Sequence, residues 1–153
     1  MKNSIADKEE EEKRLKALAE YRILGTEPES CYDDITKIAA RTCNVPISLM
    51  TLVDKDRQWF KSKVGFQTNE TRRDWSFCTH AIKEDNPLIV KDACLDKRFV
   101  GNPLVTGDPK IRFYAGFPLK NNEGNKLGTL CVIDRKAGSL NKVQFSIMEL
   151  LAK

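Results

Sequence analysis

Apolar and polar residues alternate most cleanly between Ile111 and Lys120. Ile111, Phe113, Ala115, Phe117 and Leu119 fall on one face, and Arg112, Tyr114, Gly116, Pro118 and Lys120 on the other. This period of two predicts a strand with one face on a core. The loop Asn121-Asn122-Glu123-Gly124-Asn125 follows, built of residues that tolerate the positive φ a tight reversal needs. Leu127 to Ile133 is apolar at nearly every position, which predicts a central strand covered on both faces. Gly128 within it points to a bulge or a close backbone approach, and Pro118 leaves one side of its own strand unpaired. A hairpin of this kind needs helices to cover it.

The pattern supplies them. Lys8 to Leu24 reads as a helix whose acidic opening, Glu9 to Glu12, suits the positive end of its dipole. Leu15, Leu18 and Ala19 form its narrow apolar stripe, and Gly25 suits its C-terminal boundary. Thr26-Glu27-Pro28-Glu29 has capping-box spacing and opens a second helix with Cys31, Ile35, Ile38, Ala39 and Cys43 on one face. Strands are expected at Ile47–Val53, Arg57–Val64 and Leu88–Val90, with a polar loop over Phe66–Asp74. Asp74 or Ser76 caps a short helix from Phe77 to about Asp85, stopped by Asn86-Pro87. Ala93 to Thr106 reads as irregular, with one helical turn around Leu95–Phe99. Leu140 to Lys153 is a closing helix with Phe145, Met148 and Leu151 along one side. Antiparallel strands with helices at both ends make an α+β domain.

Composition narrows the class. The chain of 153 residues, 41% hydrophobic and 31% charged, suits one soluble domain. Its net charge of +4 is small, and no segment gathers Lys and Arg without acids, which argues against nucleic acid or an anionic membrane as partner. The longest apolar run, Ile47 to Val53, is far short of the ~20 residues that span a bilayer. The opening MKNSIADKEEEEK lacks the apolar core of a secretory signal. The cysteines Cys31, Cys43, Cys78, Cys94 and Cys131 are an odd set without CxxC spacing. Reduced thiols in a cytoplasm are the expectation, with no zinc and no disulfide framework. The one histidine is His80, so no mechanism needing two is open to the chain.

Several blocks together resemble a known family: V-P-I-S-L-M-T-L-V-D (45–54), D-R-Q-W-F-K (56–61), S-F-C-T-H-A-I (76–82), N-P-L-V (102–105), R-F-Y-A-G-F-P-L (112–119) and L-G-T-L-C-V-I-D (127–134). They are similar to GAF domains, in particular to the sensor modules at the N-termini of bacterial histidine kinases and GGDEF diguanylate cyclases. The lead-in R-L-K-A-L-A-E-Y-R-I-L-G-T-E-P-E (14–29) matches the same subgroup. The resemblance implies a central antiparallel sheet of about six strands, with N- and C-terminal helices on one face. Short helices and loops on the other face would enclose a small-molecule pocket. It implies a single GAF domain over residues 1–153, with 1–13 a charged lead-in, 14–25 the N-terminal helix and 140–153 a closing helix cut short before an output domain. It further implies a homodimer through the terminal helices.

Within that frame five residues are candidate pocket lining: Trp75, Cys78, His80, Arg112 and Tyr114. If Phe113 faces the terminal helices, Arg112 and Tyr114 face the pocket, and a few polar groups on apolar walls suit a ligand. The competing reading is a filled second core. With Ser76 as N-cap, Cys78 is the second helical residue, where free N–H groups and the dipole favour a thiolate. The plainer reading of Cys78 is a small buried residue at a helix–sheet contact. Cys78 and His80, two apart, point to different sides of a helix and make no nucleophile–base pair. Trp59 and Phe60 alternate across their strand, one core and one rim, and Lys61, Lys63, Arg72 and Arg73 read as a solvated edge.

Free methionine-(R)-sulfoxide reductases share the fold and carry a cysteine at the place of Cys78. Their attacking cysteine is expected in the loop corresponding to Phe99–Lys110, which here has none. Bilin attachment would want a cysteine followed directly by histidine, and Thr79 intervenes. Asn141-Lys142-Val143-Gln144-Phe145 imitates half of a cyclic-nucleotide signature but lies in the closing helix. The expectation is a non-catalytic sensory module with no cofactor, binding a small ligand or partner and controlling a histidine kinase or diguanylate cyclase. The alternatives are the thiol reductase and a purely structural dimerisation module.

Overall fold

The computed structural model describes residues 5–152, so the first four residues of the charged lead-in and Lys153 lie outside the described residues. Five helices and six strands follow in chain order: α1 (Ile5–Glu20), α2 (Ser30–Cys43), β1 (Ile47–Val53), β2 (Arg57–Val64), β3 (Glu70–Arg72), α3 (Phe77–Ala81), β4 (Leu88–Val90), α4 (Pro103–Thr106), β5 (Phe113–Lys120), β6 (Lys126–Asp134) and α5 (Lys142–Leu151). The strands form one sheet in the order β3-β2-β1-β6-β5-β4, and every neighbouring pair is antiparallel. This is an α+β domain.

β6 lies between β1 and β5 and is buried from Leu127 to Ile133, as its unbroken apolar run requires. Alternation then sorts the sheet into two cores. On one face Phe113, Ala115, Phe117, Leu130 and Val132 meet Ala39 and Cys43 of α2 and Met148 of α5. On the other, Ile47, Leu49, Phe60, Tyr114, Cys131 and Ile133 meet Phe77 and Cys78 of α3, Leu104 of α4 and Phe99. A third group joins Ala17 and Leu18 of α1 to Leu52, Trp59 and Leu127. Gly128 is the close approach its position suggested: a Cβ there would overlap the Thr51 carbonyl on β1.

The helix ends follow local chemistry. α2 closes at Asn44, whose φ of 54° is left-handed and whose N–H returns to the Ala40 and Arg41 carbonyls. α5 opens on a capping box between Asn141 and Gln144.

Several expectations are corrected. α1 ends at Glu20 rather than Leu24, and its buried residues are Arg14, Ala17 and Leu18, with Ala19 exposed. Its stripe is consumed by the sheet, as is Met148 of α5. α2 begins at Ser30 with Glu29 as N-cap, whose side chain makes no capping bond, and Thr26 is engaged elsewhere, donating to the Ile23 carbonyl and accepting from Lys61. The expected loop 66–74 contains β3, which pairs with Arg57–Trp59. α3 stops at Ala81. The stretch expected as irregular holds a 3-10 turn at Ala93–Leu95 and α4, whose N-cap Asn102 accepts from the Leu104 N–H. α5 starts at Lys142 rather than Leu140. Trp59 and Phe60 are both buried, one on each face, since each face is covered there.

Of the four basic residues expected at a solvated edge, Arg72 is exposed on the edge strand β3 and Lys63 bonds at the surface, whereas Lys61 and Arg73 are drawn inward. The Lys61 side chain is fully buried, donating to Thr26 Oγ1, the Glu27 carbonyl and Glu29 at 2.7, 2.6 and 2.7 Å. Arg73 reaches Glu11 of α1 at 2.6 Å and the Asp54 carbonyl at 3.0 Å.

Candidate functional site

The two faces of the sheet are closed differently. α2 and α5 seal one with continuous helix. The other is covered by α3, α4 and the 3-10 turns at Arg73–Trp75 and Ala93–Leu95, short elements that cannot seal a sheet by length alone. They are pinned by side chains instead. Ser76, the α3 N-cap, accepts from the Thr79 N–H and donates to Gln58 Oε1 on β2 at 2.7 Å. Gln58 Nε2 donates onward to Thr71 Oγ1 on β3 at 2.9 Å. Asn102 Nδ2 donates to the Trp75 carbonyl at 2.9 Å, tying α4 to the segment before α3.

Beneath this cover lies a cavity of about 20 Å³, lined among others by Cys78, Tyr114, Cys131, Gln58, Phe66 and Leu104. It has room for about one water molecule. Phe66, Thr71 and Leu104 separate it from an outer groove of about 470 Å³, which they also line together with Arg72 and Trp75. Aromatic packing fills the rest: Phe77 stacks on Phe99 with ring centroids 3.9 Å apart and tilts against Tyr114 at 5.1 Å.

The floor of the cavity is polar. Cys78 Sγ lies 3.1 Å from Tyr114 Oη and 3.0 Å from Thr129 Oγ1. Thr129 meets Thr51 across the β1–β6 pair at 3.2 Å. Tyr114 can lie along its strand because Gly116, two residues on, offers no Cβ; one there would overlap the phenol. Cys131, on the same face of β6 as Thr129, lines the same cavity as Cys78. Burial opposes ionisation of Cys78, but the Cys131 thiol and the hydroxyls of Thr129, Thr51 and Tyr114 converge on it and bring its pKa below the ordinary thiol value. Burial, then the hydrogen bond from Cys78, pushes Cys131 well above that value. Burial and the neighbouring Cys78 likewise raise Tyr114.

Of the five expected lining residues, the fold brings Cys78 and Tyr114 together on the cavity. Trp75 is outside it, on the groove, with the Arg72 guanidinium 5.4 Å above its ring. His80 is not on the cavity; its ring meets that of Phe99 edge-to-face, with centroids 4.9 Å apart. Burial, then Lys83 and Arg98, lowers its pKa. Arg112 precedes β5 and donates to the Val105 and Ile111 carbonyls, each at 3.0 Å, holding the end of α4. The sequence reading missed Gln58, Thr129 and Cys131. The available signal was the period of two in β6, which places Thr129 and Cys131 on the face opposite Leu130 and Val132. Among the described residues no group of three or more His, Cys, Asp or Glu could hold a metal ion. No helix there is long and apolar enough to cross a membrane.

Comparison with known proteins agrees with this architecture. A cyclic di-GMP phosphodiesterase of Pseudomonas aeruginosa (PA2567) is 38% identical over 146 residues, covering 95% of this chain. The chain spans only 25% of that relative's length. The GAF domain of an Acinetobacter phosphoenolpyruvate-protein phosphotransferase superposes with a TM-score of 0.67 at 15% identity, covering 99% of this chain and 90% of that one. A type II free methionine-R-sulfoxide reductase from Thermoplasma acidophilum superposes with a TM-score of 0.66 at 12% identity, covering 89% and 90%. At such identities both structures speak for the fold alone. The GAF domain model matches residues 27–153, and with the sheet order and the covered face described above, the chain belongs to the GAF domain family.

Proposed function

We propose that this chain is a non-catalytic sensory module of a cytoplasmic signal-transduction protein, taking a small ligand between α3, α4 and the sheet. The observation that carries the reading is the unequal closure of the two faces. One is sealed by long helices, whereas the other rests on short elements over a polar-floored cavity that adjoins an open groove. In the described form the cavity admits no more than a water. A ligand must therefore favour an arrangement in which Phe66 and Leu104 move aside, and only this unequal affinity lets it act as a signal. Trp75 and Arg72 would meet it first, Tyr114, Cys78 and Gln58 last.

The attached output would be a histidine kinase or diguanylate cyclase, or a phosphodiesterase of the kind named for the P. aeruginosa relative. A link toward the N-terminus supports such coupling: Arg73, three residues before the α3 cap, is held by Glu11 of α1, so motion of α3 is felt at α1. The module would act as a homodimer through its terminal helices. Since Leu18 and Met148 are used inside the monomer, the contact would fall on the exposed Val143 and Leu150 of α5, 67% and 64% accessible.

A thermal-shift screen of small metabolites, with hits titrated against Tyr114→Phe and Cys78→Ser, tests the ligand site. Binding weakened about tenfold by either change is expected, the worth of one buried hydrogen bond. A screen without hits, or hits indifferent to both changes, overturns the reading.

A further inference from the structure

Two thiols, a phenol and two threonine hydroxyls sit together in a core that apolar residues would fill more simply. Cys78 is 2% exposed, Tyr114 1%, and Thr51, Thr129 and Cys131 not at all. Cys78 Sγ has Thr129 Oγ1 at 3.0 Å and Tyr114 Oη at 3.1 Å. Cys131 follows Thr129 by two on the same face of β6, and both cysteines line the cavity of about 20 Å³. Phe66 and Leu104 stand between that space and the open groove and line both.

We propose that Cys78 and Cys131 are a peroxide-oxidised pair, Cys78 attacking hydrogen peroxide in the cavity and Cys131 resolving the product to an intramolecular disulfide. The cavity selects the oxidant by size. Hydrogen peroxide, little larger than water, can enter on a small displacement of its walls, whereas an organic hydroperoxide cannot. The hydroxyls select the attacking sulfur. Thr129 and Tyr114 can each donate to a thiolate at Cys78, which is the nucleophilic form.

The electrons balance in two steps. The Cys78 thiolate attacks one peroxide oxygen: an S–O bond forms, the O–O bond breaks, and the departing hydroxide takes a proton to leave as water. Sulfur is oxidised and peroxide reduced by two electrons, leaving a sulfenic acid. Cys131 sulfur then attacks the Cys78 sulfur: an S–S bond forms, the S–O bond breaks, and the hydroxyl departs with the Cys131 proton as a second water. This chemistry goes beyond the regulatory reading and stands whether or not another ligand enters the pocket.

The test uses the whole chain carrying Cys31→Ser and Cys94→Ser, which silence the exposed thiols. Reduced protein is treated with hydrogen peroxide, unfolded in N-ethylmaleimide, and read by intact mass and peptide mapping. Two labels should be lost together, with Cys78 and Cys131 in one linked peptide pair and Cys43 still labelled. Adding Cys131→Ser should leave a dimedone adduct on Cys78. Thr129→Val should slow oxidation about tenfold, and Thr129→Ser, which restores the hydroxyl, should restore the rate. Cumene hydroperoxide should leave both thiols labelled. Full labelling of Cys78 and Cys131 after peroxide treatment, a link through Cys43, or equal reaction with cumene hydroperoxide would each overturn the proposal. The first would deny the chemistry, and the last would show that the sulfurs react through wider opening rather than in the cavity.

Discussion

Glu11 offers the clearest measurement of how α1 is held to the domain. Its carboxylate receives Arg14 Nε and Nη2 at 2.9 and 3.0 Å and Arg73 Nη1 at 2.6 Å. Arg14, with only 7% of its side chain exposed, also donates to the Val53 carbonyl at 2.7 Å. Partial burial alone would raise the Glu11 pKa, but the hydrogen bonds and charges of Arg14 and Arg73 outweigh it and lower the value from 4.5 to about 2. At about 1.36 kcal/mol per pH unit that displacement corresponds to a ceiling of about 3.4 kcal/mol. Glu11 is 34% exposed, and solvent screening brings the expected contribution to about 1–2 kcal/mol. Because the folded value is the depressed one, the contribution is complete above about pH 5 and disappears as pH falls through about 2. Glu11→Gln keeps the shape and removes the charge. Urea unfolding should show the variant about 1–2 kcal/mol less stable at pH 7, with the gap closing as pH falls from 5 toward 2 because the parent carboxyl is then neutralised too. A gap of the same size at both ends of that range, or none at pH 7, would refute the reasoning: the two arginines would then hold α1 without help from the charge of Glu11.

Gly128→Ala places a methyl on the Thr51 carbonyl in the middle of the sheet and should cost more than about 3 kcal/mol in chemical denaturation, since neither central strand can yield. Lys61→Met should cost about 1–3 kcal/mol by the same assay, leaving Thr26 and the Glu27 carbonyl without their partner while Glu29 turns to water. Val143→Glu and Leu150→Glu should leave the melting temperature nearly unchanged and raise the dimer dissociation constant in sedimentation, whereas Met148→Glu should unfold the monomer because Met148 is fully buried. Loss of folding in all three variants would place the α5 surface inside the monomer core.

The elements easiest to read were those whose own residues settle the matter. β1 and β2 match the expected spans to the residue: β1 is a largely apolar run opened by Pro46, and β2 is bounded by the turn Asp54-Lys55-Asp56 and by Gly65. α1, β3 and α4 were harder for one shared reason: each depends on a partner distant in sequence. β3 is a strand only because Arg57–Trp59 pairs with it. Arg14 is buried only because the Val53 carbonyl accepts from it, and nothing within an acidic helix such as EEEEKRLK announces that contact. Lys61 looks like an edge lysine until the turn 26–29 folds over it.

The same distinction separates the parts of the site. Tyr114 was legible, since alternation against Phe113 fixes its face and the rest follows from which face the helices take. Cys78 was legible through its cap. Arg112 and His80 were not, because their placement turns on where β5 begins and how α3 is rotated about its axis, and one residue of difference sends a side chain elsewhere. Cys131 was hidden inside the most uniformly apolar strand of the chain, where a cysteine reads as one more small hydrophobe. Only the register that sets Thr51 against Thr129, together with the cap that turns Cys78 down onto β6, reveals it as a second sulfur. What makes the cavity floor chemically distinct is thus a property of three strands and a helix meeting at one point, and a substitution that shifts any one of them by a residue would dissolve it without touching a cysteine.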